Sequence, residues 1–132
     1  MTVTRIGIVE CAWVGAGGLV GSILRFVIHT WVQRQSGPDG FPWGTLTVNA
    51  VGCLAIGMLA GWPGARDVVG DATRLFVVVG LFGGFTTFST FGIDTFDLLH
   101  AGAYGAAFSN VAAQLGIGLV AVAAGFAIGR TF

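Results

Sequence analysis

Lysine is absent from this chain of 132 residues, and charge of either sign is scarce. Only 9% of the residues are charged, whereas a soluble domain typically carries about 25%. A nucleic-acid-binding protein would need a basic face, which six arginines balanced by six acids do not provide. With 55% hydrophobic residues and a mean hydropathy of +0.86, the chain lacks the polar surface of a soluble globule. We therefore predict an integral membrane protein with one domain, residues 1–132.

Catalytic and metal-binding patterns are also missing from the sequence. Cys11 and Cys53 lie in apolar stretches and are not closely spaced, so we interpret both as packing residues. His29 and His100 lie near the ends of apolar segments without a set of neighbouring ligands, and Ser89 has no base beside it. The sequence therefore indicates neither a histidine-based metal site nor an enzyme.

Long apolar segments are abundant: four of them are separated by short breaks rich in glycine, proline and polar residues. Each approaches or exceeds the roughly 20 residues that a helix needs to cross a bilayer. We predict an all-α membrane protein with four transmembrane helices, at roughly residues 8–32, 43–62, 73–99 and 103–128.

An even number of spans places both termini on the same side of the membrane. The arginines then divide four to two, which favours cytoplasmic termini only slightly and leaves insertion in both orientations open. They are Arg5, Arg66, Arg74 and Arg130 on the side of the termini, and Arg25 and Arg34 on the other.

Glycine, with 23 residues, recurs at a spacing of four within the predicted helices. The pairs are Gly17 with Gly21, Gly57 with Gly61, Gly80 with Gly84, and Gly125 with Gly129. Small residues at this spacing let helix backbones approach closely in a membrane. Since four short helices can hardly enclose a large pore, we expect an oligomer, most simply a dimer.

The third segment contains a run of polar residues inside an apolar span. Gly83 and Gly84 precede Thr86 and three further hydroxyls, each of which needs a hydrogen-bond partner in hydrocarbon. Polar, breakable backbone is tolerated at membrane depth where it is buried in protein or lines a water-filled path. We predict a helix break near residues 83–86. Freed carbonyl groups would suit a hard cation such as Na⁺, the amino end of the next half-helix would suit an anion, and a packing notch is the alternative.

Phenylalanines are interleaved with these hydroxyls. Phe85, Phe88 and Phe91 fall three residues apart and form one stripe on a helix. Such a stripe is commonly packing, but a phenyl ring carries a positive edge. Ring edges and hydroxyl donors together can replace part of the water around a small anion, without a full charge that would trap it. The donors in question are Thr87, Ser89 and Thr90.

Four polar residues in the other segments each admit two interpretations. Asn49 is either an interhelical hydrogen-bonding group or a pore-lining donor. Arg25 either draws anions into a vestibule or extends to the membrane interface. Asn110 and Gln114, one helical turn apart, either extend a polar track or hold helices together.

Three blocks of the sequence resemble the Fluc-type fluoride ion channels of microbial membranes. Residues 17–25 are similar to the glycine–arginine pattern of that family's first helix, and residues 44–52 to the signature of its second helix. Residues 80–91 resemble the signature of its third helix and are the most specific block. The resemblance extends over nearly the whole chain, since length and number of helices also fit.

The resemblance implies an antiparallel, dual-topology dimer of four-helix subunits in the plasma membrane, with two fluoride pathways lined by phenylalanines. Phe88 and Phe91 would face fluoride, and Asn49 would be the pore asparagine. Gly83 and Thr86 would offer backbone carbonyls to a structural Na⁺ on the dimer axis. Thr87, Ser89 or Thr90 would contribute donors to the polar track. Some members of the family pair two non-identical subunits, so the partner is either a second copy or a related chain.

Passive export of cytoplasmic fluoride is the function that the resemblance implies, and two other classes compete with it. A proton-coupled exporter of the small multidrug type would need a membrane-buried carboxylate, and Glu10 lies near a segment end. Asp94 and Asp97 also lie towards a segment end, where we expect them to face an aqueous mouth or the interface. A non-transporting assembly subunit would explain the glycines but not the block of hydroxyls and phenylalanines.

Overall fold

The computed structural model describes residues 6–37, 40–65 and 70–132, and all regular structure in these ranges is helical. Helix α1 spans Ile8–Gln35 and α2 spans Trp43–Gly61. The third span, Asp71–His100, is divided into two half-helices. The first half, α3, runs through Asp71–Arg74, Leu75–Phe82 and Gly83–Phe85, and the second, α4, is Phe88–His100. Helix α5 spans Tyr104–Gly129.

Each of the four spans is long and apolar enough to cross a membrane, which confirms the predicted all-α membrane architecture. Their ends lie within a few residues of the predicted bounds. Large apolar side chains such as Phe26, Phe108 and Leu119 are mostly exposed on the outer faces, as lipid contact allows. Arg5 and Arg66, which entered the arginine count, lie outside the described residues.

Glycine residues join α1 to α3 at very short range. A Cβ added to Gly17 or Gly21 would collide with backbone carbonyl oxygens of α3. On the facing helix, a Cβ on Gly84 would lie 2.6 Å from the carbonyl oxygen of Gly18. The two helices therefore pack backbone against backbone, which only glycine permits at these positions.

Close contacts between glycines and backbone carbonyls also join α2 to α5. A Cβ added to Gly57 or Gly61 would collide with carbonyl oxygens of α5, and one added to Gly125 or Gly129 would collide with carbonyl oxygens of α2. All four predicted glycine pairs thus form contacts within one subunit. They explain how the helices pair, and they do not by themselves mark a surface for a second copy.

The third span is irregular over much of its length. Within α3, Leu75–Phe82 is wound as a π-helix, whose turns are wider than those of an α-helix. The helix ends after Phe85, because Thr86 and Thr87 are extended, with φ/ψ of −81°/156° and −150°/114°. The break therefore lies at the carboxyl end of the predicted region. Gly83 itself is helical, with φ −64° and ψ −37°, so the chain leaves the helix at Thr86 and the glycine pair stays within α3.

A tight turn connects α4 to α5 and fixes where α5 lies. Gly102 has a φ of 75°, a left-handed conformation that glycine adopts without strain. The Gly102 N–H donates to the Leu99 carbonyl at 3.0 Å, and the Ala103 N–H donates to the Leu98 carbonyl at 2.9 Å. These bonds close the end of α4 and turn the chain back, so that α5 packs against α2 and α4.

Candidate functional site

One side chain from α2 hydrogen-bonds to the backbone at the helix break. The Asn49 Oδ1 accepts from the Thr87 N–H at 2.9 Å, and the Asn49 Nδ2 donates to the Thr87 carbonyl at 3.2 Å. The amide thus pairs with both backbone groups of a residue that has left the helix, as a neighbouring strand would. Since Thr87 is only 6% exposed, these groups have little water available as a substitute partner.

Two carbonyl groups lose their helical donors at the break. In an unbroken helix the Thr87 N–H would donate to the Gly83 carbonyl, but here it donates to Asn49. The Thr90 N–H would likewise donate to the Thr86 carbonyl, but it donates to the Thr87 Oγ1 at 3.2 Å. The carbonyls of Gly83 and Thr86 therefore each lack their helical donor. These are the two residues that the sequence suggested as cation ligands.

A cluster of hydroxyl groups begins α4. Thr87 is the N-cap of this helix, because its Oγ1 accepts from the Thr90 N–H. The same oxygen lies 2.9 Å from the Thr90 Oγ1 and 3.3 Å from the Ser89 Oγ. The amino end of α4 carries a partial positive charge, so this end of the break favours negative charge.

Two of the three predicted phenylalanines form a pair at the same place. The Phe88 and Phe91 ring centroids lie 5.4 Å apart at 61°, an edge-to-face arrangement, and Phe88 is 81% exposed. Phe85 precedes the break, is only 5% exposed and packs near Gly21 and Gly52. The predicted single stripe of three rings is therefore wrong, because the break separates the first ring from the other two.

These groups line one pocket of about 490 Å³. Seven predicted site residues meet in it: Asn49, Gly83, Thr86, Thr87, Phe88, Phe91 and Gln114. The remaining wall is largely apolar and includes Cys53 and Leu115. No residue of the described chain that lines this pocket carries a formal charge. The pocket therefore offers neutral donors, carbonyl oxygens and ring edges together.

Two further amides connect the pocket to α5. The Asn49 Nδ2 also donates to the Gln114 Oε1 at 3.1 Å. One turn away, the fully buried Asn110 donates through Nδ2 to the Thr95 Oγ1 at 2.9 Å. The Thr95 hydroxyl in turn donates to the Phe91 carbonyl at 2.8 Å. Asn110 does not line the pocket. Through Thr95 it is linked by hydrogen bonds to the carbonyl of Phe91, a residue that lines the pocket.

A second pocket of about 470 Å³ lies near the carboxyl end of α4. Asp94 and Asp97 line it together with His29. The Asp94 Oδ2 accepts from the hydroxyl of Thr45, which is fully buried, at 2.5 Å. Arg25, Ser89 and Thr90 line neither pocket, and Arg25 is half-buried on α1.

Comparison with known proteins identifies relatives over most of the chain. The family model described as CrcB-like protein, Camphor Resistance (CrcB), matches residues 12–126. The chain belongs to the CrcB-like family. A protein of Agrobacterium fabrum named fluoride-specific ion channel FluC is 43% identical over 122 residues, 92% of this chain and 97% of its own length.

Further relatives are also named as fluoride-specific ion channels. One from Rhizobium etli is 41% identical over 92% of this chain and 97% of its own length. Another from Rubrobacter xylanophilus, named fluoride-specific ion channel FluC 1, is 45% identical over 88% of this chain and 90% of its own length. These matches confirm the family resemblance that the three sequence blocks indicated.

Sequence reasoning did not single out two of the residues that organise the site. Thr95 relays a hydrogen bond from α5 to the Phe91 carbonyl, and Thr45 anchors Asp94 to α2. Both are single hydroxyls in apolar segments, a pattern that also fits a threonine bonded only to its own helix. Only the polar residue on the facing helix distinguishes the two cases, and sequence spacing does not reveal it.

Proposed function

We propose that this protein is a fluoride-selective ion channel that passively exports cytoplasmic fluoride. It is a multi-pass protein of the bacterial plasma membrane, in keeping with its family and its four apolar spans. The observation that carries the proposal is the uncharged pocket at the helix break, where hydroxyl donors and the edge-to-face ring pair meet. The names of its relatives point to the same ion.

The pathway would bind the anion by many weak interactions. Phe88 and Phe91 offer ring edges, while Thr87, Ser89 and Thr90 surround the positive amino end of α4. Conduction requires a site that replaces lost water but still lets the ion leave, which a fixed full charge would impede. We assign Arg25, which lies on α1 outside the pocket, to attracting anions towards it.

We also propose that Gly83 and Thr86 bind a structural Na⁺ through their carbonyl oxygens. Both carbonyls have lost their helical donors, and both residues line the open pocket, so the donor set fits a hard cation. Two oxygens from one chain are too few for such an ion. A second chain, inserted in the opposite orientation, would complete the set and cover the exposed ring of Phe88.

The proposal is tested by measuring ion efflux from liposomes that contain the purified protein. With a fluoride electrode, we expect efflux well above that of empty liposomes, and no matching chloride efflux. Fluoride efflux equal to that of empty liposomes, or chloride efflux as fast as fluoride efflux, would contradict it. Glu10 lies in the first turn of α1, at a span end, so a Glu10→Gln change should leave transport intact. Loss of transport would favour a proton-coupled exporter instead.

A further inference from the structure

The hydrogen-bond network around the break determines which end of the Gln114 amide is free. The backbone groups of Thr87 are unambiguous, so the Asn49 Oδ1 must face its N–H and the Asn49 Nδ2 its carbonyl. The second hydrogen on the Asn49 Nδ2 then requires an acceptor, which is the Gln114 Oε1. Both hydrogens of Asn49 are therefore used within the protein, and Gln114 Nε2 is buried without a partner.

The same reasoning applies to Asn110 on the next turn of α5. The Thr95 hydroxyl donates its one hydrogen to the Phe91 carbonyl, so it accepts from the Asn110 Nδ2. The Asn110 Oδ1 is thereby left buried and without a partner. The described chain thus contains one buried, unpaired side-chain amide donor and one buried, unpaired side-chain amide acceptor, four residues apart on one helix face.

We propose that Gln114 is the amide that donates to the anion at the ring pair, and that Asn49 is a positioning residue that holds Gln114. This inference rests on the proposed function and assigns the specificity of the same pocket. A buried unpaired donor is costly unless a ligand or a neighbour uses it. Gln114 lines the pocket with Phe88 and Phe91, whereas Asn49 has no hydrogen left to offer there.

Asn110 supplies a competing acceptor for the Gln114 amide. A small rotation of the Gln114 side chain would bring its Nε2 towards the Asn110 Oδ1, which is an acceptor and repels an anion. Both groups are unpaired as the structure stands, so Asn110 would compete with the anion for the Gln114 Nε2.

The experiment compares two variants whose effects should be opposite. Gln114→Met keeps the length of the side chain but removes the donor, and we expect the fluoride concentration that gives half-maximal flux to rise about tenfold. Asn110→Leu removes the competing acceptor, so that concentration should fall. Leu119→Met, on an exposed face of the same helix, is the control. Elution as the wild-type species on size-exclusion chromatography checks folding.

A Gln114→Glu variant adds a readout that a purely structural role would not produce. Its protonated carboxyl can donate to the anion and its ionised form repels it, so flux should fall as the pH rises. Wild-type half-saturation in Gln114→Met, a shift of both variants in the same direction, or pH-independent flux in Gln114→Glu would overturn the inference. Each would leave the proposed function intact if the wild type carries fluoride. Absence of wild-type fluoride flux would overturn both.

Discussion

Asn49 supplies the hydrogen bonds that Thr87 loses when the third span leaves the helical path. The two bonds between these residues satisfy one backbone donor and one backbone acceptor that are both buried. Without them the break would place unpaired polar groups in an apolar environment, at a cost of about 1–3 kcal/mol for each group. The interhelical role of Asn49 is therefore visible in the structure.

An Asn49→Leu variant should consequently be less stable than the wild type by about 2–4 kcal/mol, because Thr87 keeps its position only by leaving both groups unpaired. The free energy of unfolding in detergent, measured by chemical denaturation, checks this. Val51→Leu, on an exposed part of the same helix, is the control and should change little. Equal stability of Asn49→Leu and the wild type would mean that the break holds without the amide.

The ring pair gives a second prediction for single residues. Phe88→Ile and Phe91→Ile retain apolar bulk but lose the positive ring edge, so we expect fluoride flux to fall at least tenfold in liposomes. Phe108→Ile, which replaces a 76% exposed ring on α5, should carry fluoride as the wild type does. If all three variants transport at the same rate, the rings of the pocket serve packing alone.

The two halves of the third span show which features of the site can be predicted from sequence. Polar residues inside an apolar span indicated a break, and its place was predicted to within a few residues. The glycines misled in detail because Gly84 is needed for contact with Gly18 of α1, and that need is set by the facing helix. The break lies at Thr87 because Asn49 pairs with its backbone groups there. Asn49 is 38 residues away in the chain. Sequence periodicity does not record such partners.

The glycines of α5 differ in how closely they approach the neighbouring helix. A Gly125→Ala change would place a methyl group against the backbone of α2, whereas Gly116 has nothing within 4 Å of an added Cβ. We expect Gly125→Ala to destabilise the protein by about 1–3 kcal/mol, and Gly116→Ala to be neutral or slightly stabilising because alanine favours the helix. Thermal unfolding of the two variants in the same detergent checks this. Equal melting temperatures would contradict the tight contact between α2 and α5.

At the scale of the whole molecule, the broken third span lies on an open face of the chain. Phe88 is 81% exposed, Gly83 is open to its surroundings, and the pocket that contains them opens to one side. The four glycine pairs, in contrast, make their close contacts inside the chain. In the proposed dimer, the second chain would pack against the broken third span, and the carbonyls of Gly83 and Thr86 would lie at that contact.

Sodium should then stabilise the dimer, because an ion bound by carbonyls from both chains favours the associated state by mass action. We expect the dimer dissociation constant, measured in detergent, to rise about tenfold or more when Na⁺ is replaced by N-methylglucamine at equal ionic strength. A Thr86→Val change removes the hydroxyl, which donates to the Phe82 carbonyl at 2.9 Å, but keeps the backbone carbonyl. The variant should therefore retain the dependence on Na⁺. A dimer equally stable in both salts would contradict a cation at this contact, and Na⁺ dependence lost in Thr86→Val would place the ion on the hydroxyl instead.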